Sequence, residues 1–112
     1  WVGEISERFL ERFDVATGDR TGQIGGHGTE PGKFDGSSDV HAGPTDLAFD
    51  SAGNIYVNDP QGSRIMKLSP TGTALGAFTF GKAENVEPVA VDPRTGNVYV
   101  GRDIGVDIVC PF

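Results

Sequence analysis

"DLAFDSAGNIYVND", residues 46–59, sets two short apolar runs, Leu47-Ala48-Phe49 and Ile55-Tyr56-Val57, on either side of a Ser-Ala-Gly turn, and "PVAVDPRTGNVYVGR", residues 88–102, repeats it closely. Leu47-Ala48-Phe49-Asp50 falls on Val89-Ala90-Val91-Asp92, and Asn54-Ile55-Tyr56-Val57 falls on Asn97-Val98-Tyr99-Val100. Gly53 and Gly96, in the turns between, supply the positive φ that short hairpin loops demand. Each copy therefore predicts a strand, a tight turn and a second strand.

Working outward, Trp1-Val2-Gly3-Glu4 matches Tyr56-Val57-Asn58-Asp59 and Tyr99-Val100-Gly101-Arg102, so the chain starts partway through a copy. Phe9 to Phe13 then falls on Arg64 to Leu68 and on Asp107 to Pro111 as a third strand. The β-like runs Thr21 to Gly25 and Leu75 to Phe80, after turns at Gly18 and Gly72, supply a fourth. With the strands named a to d, residues 1–25 carry b, c and d; residues 26–81 carry a connection and one complete unit; residues 82–112 carry a, b and c. A four-stranded repeat of about 40–45 residues is the signature of a β-propeller blade. The strands are only weakly amphipathic, as expected where both faces of a sheet are covered. Trp1, Tyr56 and Tyr99 share one repeating position, which points to packing between units rather than a ligand cage.

A charge exchange supports this alignment. Asp59 closes strand b and Arg64 opens strand c, and the aligned positions of the next unit hold Arg102 and Asp107. A pair at facing hairpin ends is worth about 0.2–1 kcal/mol. The first unit offers Glu4 with Arg8, one position out of register.

Composition sets the outer limits. Seventeen glycines and seven prolines make the chain turn-rich, while 37% apolar residues is too many for disorder, so an all-β domain is expected. Nine basic against sixteen acidic residues give a formal charge of −7, and no Lys/Arg cluster breaks that balance. Such a chain repels phosphate backbones and anionic lipid heads, so nucleic acid is not expected as a partner, and its apolar runs are far shorter than the roughly 18 residues that span a bilayer, so membrane insertion is not expected either. Residues 1–30 lack the pattern of a signal peptide, and the compartment is unread. Cys110 is the sole cysteine and reads as a buried, small apolar residue.

The stretch "GPTDLAFDSAGNIYVNDPQGSRIMKLSPTG", residues 43–72, resembles an NHL repeat, and "EPVAVDPRTGNVYVGR", residues 87–102, resembles the start of the next. The matching parts are the Pro before strand a, the Asp closing it, the Gly-Asn-Ile-Tyr-Val hairpin and the Arg-Ile that opens strand c. The resemblance implies an NHL-like β-propeller of four-stranded antiparallel blades, usually six, with strand a lining the central channel and strand d outermost. Two and a half units do not close such a ring. The expectation is that the chain is part of a longer propeller, its start at Trp1 falling inside a blade; if it is complete, several copies form one ring.

In a propeller the d-to-a and b-to-c connections emerge on one face. The first d-to-a connection, about Gly26 to Pro44, holds His27, Asp35, Asp39 and His41, and the b-to-c turn Pro60 to Ser63, with Gln61, lies beside it. Connections of more than about a dozen residues are often functional. These five residues are the candidate ligand-binding set, with a protein, peptide or glycan as partner and no cofactor or catalytic residue. Their spacing matches neither an HExxH helix nor a calcium loop. Gly25-Gly26-His27-Gly28 lacks the strand-to-helix setting of a phosphate cradle and reads as loop.

The resemblance also holds open an enzyme. Among NHL-like propellers, the peptidyl-hydroxyglycine amidating lyases hold zinc through His residues that follow a Pro at the start of strand a. The matching positions here are Thr45 and Glu87, so any zinc ligands would come from elsewhere. Calcium-dependent lactonase-like propellers are the other enzymatic alternative.

Overall fold

The structure, a computed structural model, describes residues 2–4, 9–34, 44–59, 64–79, 86–102 and 105–109. The described residues form ten strands and no helix: β1 (Val2–Glu4), β2 (Phe9–Phe13), β3 (Arg20–Gly25), β4 (Leu47–Phe49), β5 (Ile55–Asp59), β6 (Arg64–Leu68), β7 (Ala74–Thr79), β8 (Val86–Val91), β9 (Val98–Arg102) and β10 (Gly105–Val109). They make three antiparallel sheets in chain order, β1-β2-β3, β4-β5-β6-β7 and β8-β9-β10, and none is closed on itself. Each strand pairs with its neighbour in sequence, as the short connections between them dictate.

The a-to-b turns form as the sequence predicts. Gly53 has φ of 85° and Gly96 of 74°, and each amide bonds back to the carbonyl of the Asp that opens the turn, Asp50 at 3.1 Å and Asp92 at 2.8 Å. The Asp side chains fix the turns further. Asp50 Oδ1 accepts from the amides of Ala52 (3.0 Å) and Asn54 (2.9 Å), and Oδ2 accepts from Asn54 Nδ2 (2.9 Å) and the Tyr56 hydroxyl (3.2 Å). Asp92 accepts from the Arg94 amide at 2.9 Å and pairs with its guanidinium at 3.3 Å. The turn between β6 and β7 needs glycine for a second reason. Gly72 has φ of 98°, and a Cβ there would lie 2.6 Å from Ile24 Cγ2 in the preceding sheet.

Alternation along β5 and β6 divides the interior into two seams. Ile55, Val57, Met66 and Leu68 face the first sheet and pack with Leu10, Ile24 and Phe34. Tyr56 and Ile65 face the third sheet and pack with Val89, Val98 and Val100. All five residues of β5 are buried, so this inner strand is covered on both faces, which explains why it reads as weakly amphipathic. Strands β4 and β8 run beside each other where the middle and third sheets meet.

The third hairpin corrects the charge exchange. Arg102 lies opposite Gly105, and Asp107 lies opposite Val100, two residues from the expected partner. In the middle sheet Asp59 does face Arg64. Four residues, 60–63, separate β5 from β6, whereas only 103 and 104 separate β9 from β10, and a shorter loop fixes a different register. Asp107 thus stands where the middle sheet has Met66, and Gly105 stands where it has Arg64. Strand β8 also begins earlier than the repeat implies, with a register shift between Glu87 and Val89 that passes Pro88. In the first sheet Glu4 faces Phe9, as the alignment requires; Trp1, Arg8 and Cys110 lie outside the described residues.

The turn carboxylates give the fold an acid limb. Burial pushes the Asp50 carboxyl up, but the side chain and amide of Asn54, the Ala52 amide and the Tyr56 hydroxyl outweigh it and hold the group below the usual carboxylate range. Asp92 is held low by the Arg94 amide and guanidinium. A carboxyl depressed in the folded state contributes stability above its unfolded pKa of about 3.9, lost as pH falls through the lower folded value. Urea melts of Asp50→Ala against the parent from pH 7 to pH 2 should show a deficit of about 1 kcal/mol, modest because the carboxylate is partly solvated. That deficit should hold at neutral pH and narrow only in the acid limb.

Candidate functional site

The end of β5 carries two consecutive polar side chains, Asn58 and Asp59, both fully buried. Buried polar groups persist only when paired, and each of these is engaged on an opposite face of the sheet.

Asn58 points toward the third sheet. Its Oδ1 accepts from the amides of Thr45 and Asp46, both at 2.9 Å, and its Nδ2 donates to Thr45 Oγ1. This holds the chain just before β4, where Pro44 is buried. The Asp46 carboxylate reaches across to accept from the Val89 amide at 2.8 Å, tying the start of the middle sheet to β8. Three residues therefore link the far end of β5, the approach to β4 and the third sheet.

Asp59 points the other way. Its Oδ2 receives Arg64 Nε at 2.9 Å, and the rest of the guanidinium fork donates to the Thr29 carbonyl (3.3 Å) and the Lys33 carbonyl (2.8 Å). Arginine suits this position because its planar fork makes all three bonds from one rigid group. The ion pair is not the exposed hairpin pair the sequence suggests: the Arg64 side chain is 14% exposed and that of Asp59 is fully buried.

The clamped segment, residues 26–34, is the first part of the long connection after β3. It is a packed wedge rather than an open loop. The Phe34 amide bonds to the Gly26 carbonyl (2.9 Å), the Gly28 amide to the Phe34 carbonyl (3.0 Å), and the Lys33 amide to the Glu30 carbonyl (3.0 Å). Lys33 Nζ donates to the Gly25 carbonyl at 2.8 Å. Phe34 is fully buried in the seam between the first and middle sheets. Gly25 and Gly26, with φ of 111° and 108°, turn the chain off β3, the loop role their sequence implied.

Of the candidate binding residues, His27 is exposed on this wedge, where it forms an isolated bridge with Phe34. Asp35, Asp39, His41 and Gln61 lie outside the described residues. What the described residues supply is a frame for both candidate loops. Residues 35–43 run between Phe34, buried, and Pro44, buried; residues 60–63 run between Asp59 and Arg64. Arg64 bonds the carbonyl of Lys33, just before Phe34; Asn58 bonds Thr45 and Asp46, just after Pro44; and the Asp59–Arg64 pair joins the residues on either side of 60–63. Sequence reasoning missed Asn58, which reads as an ordinary strand-end residue. Its only signal is that two polar residues follow the apolar run Ile55-Tyr56-Val57.

The Thr45 hydroxyl oxygen accepts from Asn58 Nδ2. Among the described residues no three His, Cys, Asp or Glu side chains converge in a way that would hold a metal. A cavity of about 280 Å³ beside the wedge is lined by Pro31, Gly32, Arg64, Met66 and residues 74–77 of β7. Compared with known proteins, the chain matches no family model and no curated sequence.

The clamp predicts a large cost for one truncation. Arg64→Ala leaves the Asp59 carboxylate buried and loses the bonds to the wedge, so chemical denaturation should show a loss of about 3–5 kcal/mol. Arg64→Lys restores only part of it, because an ammonium is a point donor without the fork.

Proposed function

We propose that the chain is a segment of an NHL-type β-propeller acting as a non-enzymatic binding or scaffold module, whose recognition surface is the connection from Gly26 to Pro44 together with the turn Pro60 to Ser63. The partner is a protein, peptide or glycan. The observation that carries this reading is the shared anchoring of the two loops. Two sets of bonds from the end of β5, Asn58 to Thr45 and Asp46 on one face and Asp59 with Arg64 to Thr29 and Lys33 on the other, hold residues that flank these connections. A stiff frame lowers the entropic cost of ordering loop side chains against a partner, which favours binding.

The propeller arrangement is supported by the succession of antiparallel sheets, by the contact of β4 with β8 as neighbouring inner strands, and by the two apolar seams. The formal charge of −7 favours a neutral or basic partner and opposes nucleic acid.

The test is a glycan and peptide array probed with the chain and with a variant in which residues 35–43 are replaced by a Gly/Ser linker of equal length. The reading predicts specific hits that vanish with the linker, while the thermal midpoint stays close to that of the parent. Hits that survive the replacement, stoichiometric zinc or calcium in the purified protein, or retention on RNA at physiological salt would contradict it.

A further inference from the structure

The cavity beside the wedge exists because the residues around it are small. On β7 it is lined by Ala74, Gly76 and Ala77, and on the wedge by Gly32, whose φ of 86° keeps a side chain off that wall. Met66, paired with Ala77 across the sheet, is 1% exposed and belongs to the apolar seam between the first and middle sheets. Leu75, also in the lining, is 52% exposed, so the cavity runs from solvent down to that seam.

Among the described residues one ionisable side chain lines the cavity, and it is a cation, Arg64. A guanidinium has five N–H donors. Three are taken, by Asp59 Oδ2, the Thr29 carbonyl and the Lys33 carbonyl, which leaves two with no acceptor among the described residues. The Arg64 side chain is only 14% exposed, and a donor kept from water without a partner costs free energy. Asp59 offsets the charge of the guanidinium, but neither it nor Glu30, which is exposed on the wedge, lines the cavity. Lys33 adds a second cation to the wedge, its Nζ bonded to the Gly25 carbonyl at 2.8 Å rather than to an acid. The cavity thus joins an apolar floor to unspent donors of one positive group, and such donors bond a carboxylate about twice as strongly as a neutral acceptor.

We propose that this cavity binds a small apolar carboxylate, with its charged end on the two unspent Arg64 donors and its apolar end against Met66 and Leu75. Size narrows the class. An apolar cavity of about 150 Å³ holds benzene, so by proportion this one, of about 280 Å³, takes a ligand of about eleven non-hydrogen atoms, the size of an arylalkanoic acid. The site uses two residues of the connection from Gly26 to Pro44 but needs no partner protein, so it is independent of whether that connection recognises one.

The experiment is a titration of the ¹⁵N-labelled chain with 3-phenylpropionate, followed by amide shifts. The proposal predicts saturable shifts confined to residues 31–33, 64–66 and 74–77, with a midpoint of about 0.1–1 mM for a ligand of this size. The neutral 3-phenylpropionamide, equal in size, should bind about tenfold more weakly or worse, and 3-phenylpropylamine should not bind; these two ligands test the charge preference without disturbing the Arg64 clamp. Ala77→Leu, which fills the cavity at an exposed position and so leaves the fold intact, should abolish the shifts. No saturable shifts below 10 mM, saturation at another surface, equal affinity for the amide or the amine, or unchanged binding in Ala77→Leu would overturn it.

Discussion

The arrangement of the sheets depends on two adjacent buried side chains at the end of β5. In a strand, consecutive residues point to opposite faces, so Asn58 and Asp59 reach in opposite directions from one stretch of backbone. Asn58 holds the Thr45-Asp46 backbone, and through Asp46 the amide of Val89 in the third sheet. Asp59 holds Arg64, and through it the wedge that closes the seam with the first sheet. Hydrophobic burial supplies most of the energy: each buried aliphatic or aromatic side chain is worth about 1.5–3 kcal/mol, against about 1 kcal/mol for an ordinary hydrogen bond. The polar pair supplies direction. Apolar seams tolerate sliding, whereas a buried amide or carboxylate with fixed partners does not.

The two sides of the middle sheet are joined differently. Toward the third sheet only residues 80–85 separate β7 from β8, and among the described residues the polar link beside the apolar seam is the carboxylate-to-amide bond from Asp46. Toward the first sheet the connection is long, and it comes with a three-bonded arginine and a buried phenylalanine. The third sheet has Gly105 at the position of Arg64, so this clamp accompanies the long connection and is not a feature of every repeat. The clamp holds the described start of that connection, residues 26–34, against the middle sheet.

Much of this was legible in the residues. The repeated short apolar runs of residues 46–59 and 88–102, with Gly53 and Gly96 between, were enough to place the hairpins, because turn glycines and short bounded apolar runs are local signals. Asp59 and Arg64 were recognisable as partners, but their burial was not, since the sequence does not show what covers a hairpin end. The register of β10 was misread by two residues because a repeat alignment assumes equal loops, and 103–104 is shorter than 60–63. The wedge read as loop because residues 26–33 are rich in Gly and polar groups. Its single sign of burial was Phe34, a lone aromatic in a polar stretch, and an isolated aromatic is weak evidence without the facing sheet.

The most direct test of the central claim is native-state hydrogen exchange on Asn58→Ala and Asp59→Ala. The account predicts separable local losses of protection: in Asn58→Ala at residues 45–49 and 86–91, with residues 26–34 protected as in the parent, and in Asp59→Ala the converse. Identical, uniform loss of protection in both variants, or no change in either, would show that the two side chains do not hold opposite sides of the sheet.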